Sequence, residues 1–203
     1  MAIHESPRSE ALLRGPGDAL LIVDVQRDFL PGGALGVAGG DAVVPVLNRY
    51  IARAQRSGSP VIASRDWHPG DHCSFHAQGG PWPPHCVEAT PGAELASDLR
   101  LPPGALIFNK GTCAEAEAYS AFSGTALAST LRALGVRRLV VGGLATDYCV
   151  LSTVRDALHE GFDVFVLEDA VRAVDASPGD GESALREMRE AGAVLVNEGE
   201  RVA

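Results

Sequence analysis

Three side chains in this sequence could together carry out nucleophilic catalysis: the carboxylate of Asp24, the ammonium of Lys110 and the thiol of Cys149. Each closes or follows a short apolar run, in ALLIVDV (19–25), ALIFNK (105–110) and LVVG (139–142), the last leading through GLATDY to Cys149. A carboxylate placed so can take and return a proton, and a thiolate is a strong nucleophile. Cys149 is expected in the first turn of a helix, where free N–H groups and the helix dipole favour the thiolate. A nearby Lys110 ammonium is expected to lower the thiol pKa further. Singly, these residues have plainer readings: a small buried hydrophobe, a turn carboxylate and a solvated strand end. Their joint placement favours chemistry.

A second constellation lies between residues 66 and 85. Asp66-x-His68-x-x-x-His72, followed by His85, offers three imidazoles and one carboxylate. Such mixed N/O donors suit Zn²⁺, Fe²⁺ or Mn²⁺, with open positions for water or substrate. The other histidines read more plainly: His4 near the N-terminus, His159 on a solvated helix face, His76 ambiguous within the loop. Cys86 reads as a packed free thiol, and Cys73 and Cys113 as space filling. Aromatic residues are 5% of the chain, and Phe29, Trp67, Trp82 and Tyr119 fall beside the candidate residues. A flat apolar ligand between aromatic walls is the expectation.

The elements that must position these groups are legible as apolar runs at 19–25, 61–66, 105–110, 139–142, 164–167 and 194–197. Runs this short and rich in Val, Ile and Leu suit strands buried on both faces. Between them, helical spacing recurs: Val44, Leu47, Ile51 and Ala54 up to Gly58, with Asp41 as the expected N-cap. Leu127, Leu131 and Leu134 precede Gly135, and Val150, Val154, Ala157 and Leu158 precede Gly161. A last amphipathic stretch, 184–189, ends before Gly192. Strand and helix alternating in this way predict an α/β domain with a parallel sheet. Ligands of such sheets bind outside the carboxyl ends of the strands, where all the candidate residues fall. Two long irregular segments, 26–40 and 67–94, are expected to be functional loops.

Composition excludes several classes. The chain has 203 residues, and its net charge is −9, from 26 acidic and 17 basic side chains. No run of Lys or Arg could track a phosphate backbone, so nucleic-acid binding is not expected. No stretch of about 18 apolar residues suggests a membrane span. The phosphate-cradling patterns G-x-G-x-x-G and G-x₄-G-K-[ST] are absent. Residues 1–17 read as a short mobile leader and 18–203 as one domain. Four cysteines without a C-x-x-C pair suit reduced thiols and a cytoplasmic setting.

Taken together, VDVQRDF (23–29), SRDWHPGDHCSF (64–75), GGPWPPHCV (79–87), FNKG (108–111), AYSAF (118–122) and GLATDYCV (143–150) resemble the nicotinamidase/pyrazinamidase branch of the isochorismatase-like cysteine hydrolases. The resemblance runs in order from residue 19 to about residue 197. It implies a three-layer, doubly wound, mainly parallel six-stranded sheet, and hydrolysis of nicotinamide, and of pyrazinamide, through a thioester. Relatives acting on maleamate, carbamoyl-sarcosine or a streptothricin-type lactam stand as alternatives within the family, and a non-catalytic metal-binding or ligand-binding module as one outside it. By carry-over, Cys149 is the nucleophile, Asp24 the general base and Lys110 the group that orients both. The N–H groups of Ala145 and Cys149 would form an oxyanion hole, with a cis peptide between Leu144 and Ala145. Asp66, His68 and His85, with His72 as a fourth, would hold one divalent metal ion, zinc ahead of iron or manganese. Phe29, Trp82, Tyr119 and Leu144 would contact the substrate. The family's habit of forming dimers or tetramers implies a homo-oligomer.

Overall fold

Side chains along a strand alternate between faces, and β1 (Asp18–Val23) shows why its run contains no polar face: Leu20 and Ile22 enter one apolar core, Ala19, Leu21 and Val23 another. In the computed structural model, which describes residues 12–197, β1 lies in one sheet with five further strands. They are β2 (Val61–Asp66), β3 (Leu106–Lys110), β4 (Arg138–Leu144), β5 (Asp163–Arg172) and β6 (Val194–Val196). All pairings are parallel, in the order β3-β2-β1-β4-β5-β6. Helix α1 (Val43–Ser57) covers the first face with Val44, Leu47, Ile51 and Ala54. Helices α2 (Leu127–Ala133), α3 (Leu151–His159) and α4 (Asp180–Glu190) cover the other with Leu131, Val154, Ala157 and Met188. The expected three-layer α/β architecture is therefore present. Among the described residues, no helix is long and apolar enough to cross a membrane.

The strand order carries the functional consequence. From β1 the chain winds outward to β2 and β3, then returns to place β4 on the other side of β1. Connections from β1 and β4 leave on opposite faces, which opens a crevice at their carboxyl ends. Gly143 brings these two strands close: a Cβ there would overlap the Val23 backbone, and its φ of +134° favours glycine. The β4–β5 register shifts between Val141 and Gly143.

Four expectations are corrected. β3 is an edge strand, with Leu106 38% and Ile107 47% exposed, so it is not buried on both faces. β5 continues well beyond 164–167, because residues past the register shift still pair with Gly143 and Leu144 of β4. Asp41 does not cap α1: it lies in a 3₁₀ turn, Gly40–Ala42, and no side-chain cap bond precedes Val43.

The fourth concerns the leader. Residues 1–11 of it lie outside the described residues, whereas Leu12 and Leu13 are buried in the α1-side core. Gly15 donates its N–H to Ser59 Oγ at 3.2 Å, and the Arg14 N–H is bonded to Asp18 Oδ2 at 2.8 Å. Residues 12–17 are thus part of the packed domain. Leu13→Ala is expected to destabilise the protein by about 2–5 kcal/mol, against under about 0.5 kcal/mol for a solvated leader residue. Denaturant unfolding of the two proteins checks this.

Candidate active site

Asp24 is the first residue past β1, held at a left-handed φ of +49°. Its carboxylate is completely buried, and Oδ1 accepts a 2.7 Å hydrogen bond from the Ser64 hydroxyl of β2. Lys110, the last residue of β3, extends beneath it. The Lys110 Nζ lies 2.9 Å from Asp24 Oδ2, 2.5 Å from Asp66 Oδ1 and 3.5 Å from Cys149 Sγ, and donates to the Ala118 carbonyl at 3.0 Å. An oxygen of Asp24, an oxygen of Asp66 and Cys149 Sγ all lie within 4.8 Å of one another. Cys149 is in a π-helical first turn, Thr146–Val150, that runs directly into α3. The Leu144–Ala145 peptide is cis, as expected, and the Ala145 carbonyl accepts the N–H groups of Tyr148 and Val150 at 3.1 Å each.

Burial and charge act against each other here. Burial would pull the Lys110 ammonium down, but Asp24, Asp66 and Cys149 hold it well above the usual lysine range. Burial pushes Asp66 up, yet the ammonium and His68 more than offset this and hold it below the usual carboxylate range. In Asp24 burial prevails over the pull of Lys110, and its carboxyl is raised. Cys149 is raised well above the usual thiol range: burial is the largest cause, and Asp24 and Asp66 add to it against Lys110. These causes together favour the protonated thiol, opposite in direction to the lowering expected from the helix start and the lysine. Two carboxylates and complete burial outweigh one ammonium.

Beside this cluster, ligand atoms of Asp66, His68 and His85 come within 4.8 Å of one another. Their hydrogen bonds fix the tautomers. His68 Nδ1 lies 2.9 Å from the Gly111 carbonyl and His85 Nδ1 2.8 Å from the Pro83 carbonyl, so each Nδ1 donates and each Nε2 is the nitrogen that could face a cation. That of His68 lies 3.6 Å from Asp66 Oδ2; burial would lower the imidazole pKa but Asp66 raises it, so a cation there competes with a proton. Gly111 has no room for a side chain, since a Cβ would fall 2.6 Å from His68 Nδ1. A carboxylate and two imidazole lone pairs converging in this way fit a divalent cation.

His72 departs from the expected fourth-ligand role. It stacks on His68 with ring centroids 4.0 Å apart, but its Nε2 faces the Ala116 carbonyl at 3.2 Å and its Nδ1 is bonded to Ser74 Oγ at 2.7 Å. The carbonyl requires a proton on Nε2, and the Ser74 N–H also approaches Nδ1 at 3.3 Å. Neither nitrogen has a lone pair to offer.

An aromatic wall gathers on Tyr148, the residue before Cys149. Trp82 donates its indole N–H to Tyr119 Oη at 3.1 Å, and Tyr148 packs edge-on against Trp82 at 5.2 Å. Phe29 sits 5.6 Å from the His85 ring, and Leu144 is buried beside Gly40. Trp67 turns elsewhere, beneath the Arg65 guanidinium at 3.8 Å. Cys86 is buried next to His85, Cys73 is half-buried, and Cys113 and His76 are exposed. Sequence reasoning missed Tyr148, Ser64 and Gln26. The buried Gln26 amide pairs with the Asp66 backbone through two 2.8 Å bonds. Adjacency to Cys149 could have found Tyr148; nothing local marks the others.

A parallel sheet with a buried thiol, carboxylate and ammonium at its switch point defines an α/β protein whose chemistry lies at the carboxyl edge. More narrowly, the chain belongs to the isochorismatase family, matching its Isochorismatase domain over residues 18–199. It is 43% identical over 201 residues to the nicotinamidase of Escherichia coli (strain K12), covering 89% of this chain and 94% of that protein. It is 42% identical over 186 residues to the nicotinamidase/pyrazinamidase of Mycobacterium tuberculosis, covering 88% and 97% respectively. The crystal structure of the pyrazinamidase of Pyrococcus horikoshii in complex with zinc superposes with a TM-score of 0.86 at 49% identity, covering 90% of this chain and 99% of that one.

The lowered Asp66 carboxyl makes a prediction about acid stability. Its contribution is fully present above the ordinary carboxyl value of 3.8 and is lost as pH falls toward the lowered folded value. Metal-free wild type should lose stability steeply from about pH 4 downward, and Asp66→Asn more shallowly. Unfolding midpoints measured across that range check it, and parallel curves would contradict the assignment.

Proposed function

We propose that this protein hydrolyses nicotinamide to nicotinate and ammonia, and pyrazinamide to pyrazinoate, through a thioester on Cys149. The observation that carries this reading is the Lys110 ammonium, which binds Asp24, Asp66 and Cys149 at once and so joins a nucleophile–base pair to a two-histidine, one-carboxylate group. The chain is a nicotinamidase-type amidohydrolase.

The chain's own residues account for the steps. Asp24 Oδ2 has no aligned hydrogen-bond donor among the described residues, and it takes the proton of the Cys149 thiol as Sγ attacks the carboxamide carbon. The N–H groups of Ala145 and Cys149 hold the developing oxyanion, a role typically worth about 3 kcal/mol per donor. Asp24 returns its proton to the amide nitrogen, the C–N bond breaks and ammonia leaves. Water then attacks the thioester, giving its proton to Asp24, which passes it to the departing sulfur. Lys110 keeps the carboxylate and the sulfur in register throughout. Asp66, His68 and His85 would hold a divalent cation, zinc by analogy with the Pyrococcus relative, and such an ion when bound supplies a Lewis-acid partner for the pyridine nitrogen. Trp82, Tyr119, Tyr148 and Phe29 flank the ring, and Leu144 closes its base. The four free cysteines support a cytoplasmic setting.

Ammonia release from nicotinamide is expected to be fast with zinc-loaded wild type and to fall by on the order of 10³-fold or more in Cys149→Ala. Chelation should abolish release. Loss in Cys149→Ala with full activity after chelation would keep the thiol chemistry and sink the metal's role. No release from loaded wild type would show that nicotinamide is the wrong amide.

The acid limb of kcat/KM should report Asp24. Ser64→Ala removes a hydrogen bond to its charged form, so the limb should move to higher pH. An unmoved limb would assign that titration to another group.

A further inference from the structure

We propose that Asp28 is a positioning residue for His85: through the Cys86 amide it sets the affinity of the Asp66–His68–His85 group for a divalent cation. This rests on the metal reading above. Two of the three donors have regular structure beneath them. Asp66 ends β2, opposite Lys110 in the β2–β3 register, and the Trp67 N–H leading to His68 is bonded to the Lys110 carbonyl at 2.9 Å. His85 has no such support, because it lies in an irregular segment between two 3₁₀ turns, His76–Gln78 and Pro91–Ala93.

What fixes that segment is the residue after it. Cys86 is buried, at a left-handed φ of +47°, and is held from both ends. Its carbonyl accepts the His68 N–H at 3.0 Å, and its own N–H donates to Asp28 Oδ2 at 2.7 Å. Asp28 Oδ1 accepts the Ala34 N–H at 3.3 Å, so one carboxylate serves two amides. Such charge-assisted bonds are short and directional, and changing a group that orients a ligand typically costs roughly 10–100-fold in metal affinity. A glycine completes the fit. Gly92 is packed against the Asp28 carboxyl, and a Cβ built there would overlap all three of its outer atoms. The Gly92 backbone is not in the left-handed region, so the carboxylate alone excludes a side chain.

The test is zinc binding to the metal-free protein, measured by competition with a chromophoric chelator, with Cys149 alkylation as a check on the rest of the site. Asp28→Asn keeps the shape but has one acceptor oxygen for two N–H groups. It should weaken zinc about 10–100-fold while the alkylation rate of the metal-free protein stays within about twofold. Gly92→Ala leaves Asp28 in the chain but displaces its carboxyl, and should weaken zinc in the same direction. Combining Gly92→Ala with Asp28→Ala should cost no more than Asp28→Ala alone, since both act through one group. If Asp28→Asn does not fold, Gly92→Ala carries the comparison. Wild-type zinc binding that is lost in His85→Ala but intact in Asp28→Asn and Gly92→Ala would overturn this inference alone, as would additive losses in the double variant. Wild type that binds no zinc would overturn the metal reading and this inference with it.

Discussion

One buried ammonium holds the site together. Lys110 is 1% exposed, and its charge is answered by Asp24 and Asp66, neither of which has appreciable contact with water. Remove that charge and two carboxylates face each other in a dry interior, an arrangement that costs several kcal/mol unless one of them takes up a proton. The pairing of β2 with β3 builds this interaction in: Asp66 and Lys110 are direct Cα partners at the carboxyl ends of neighbouring strands. A register slip of one residue would turn one of them to the opposite face. Because Asp66 belongs both to this cluster and to the candidate metal group, the two halves of the site share a charge and cannot be positioned independently.

The rest of the sheet serves that arrangement. The connections after β1 and β4 leave on opposite faces at the switch point, and the absence of a side chain at Gly143 lets the carboxyl ends of the two strands approach. Asp24 on one strand end and the Thr146–Val150 turn after the other then face each other. Ser64 is two residues before Asp66, on the same face of β2, and its hydroxyl reaches Asp24 across the strand boundary. Alternation along a single strand thus supplies both a partner for the base and a donor for the metal group. The loops add less regular supports, of which the Gln26 amide clasping the Asp66 backbone is the most buried.

Much of this was legible in the sequence, for a physical reason. Buried parallel strands must be apolar almost throughout, so a charged residue closing such a run, as Asp24, Asp66 and Lys110 do, is conspicuous. The supporting residues are not. Asp28, Ser64 and Gln26 act across 40 or more positions of chain, and nothing in their neighbours reveals the partner. His72 shows the converse: its spacing from His68 suits a ligand, but which nitrogen keeps a lone pair is decided by Ala116 and Ser74. The edge position of β3 is likewise invisible, because Leu106 and Ile107 look as apolar as any buried pair. The packing of Leu12 and Leu13 was masked by the polar, proline-containing stretch around them.

The state of the thiol follows from the same charge balance. With Asp24 and Asp66 ionised and Lys110 protonated, the cluster already carries one uncompensated negative charge in a buried place. A resting thiolate would add a second, and burial with the two carboxylates opposes it against the pull of Lys110. Transfer of the thiol proton to Asp24 leaves the total unchanged and only moves the charge from oxygen to sulfur. A buried base with a raised carboxyl pKa is suited to that exchange, since its own ionised form is already disfavoured by burial. The burial that keeps the proton on Cys149 at rest also keeps it within reach, so the proton that Asp24 takes from the thiol is the one it later gives to the departing ammonia.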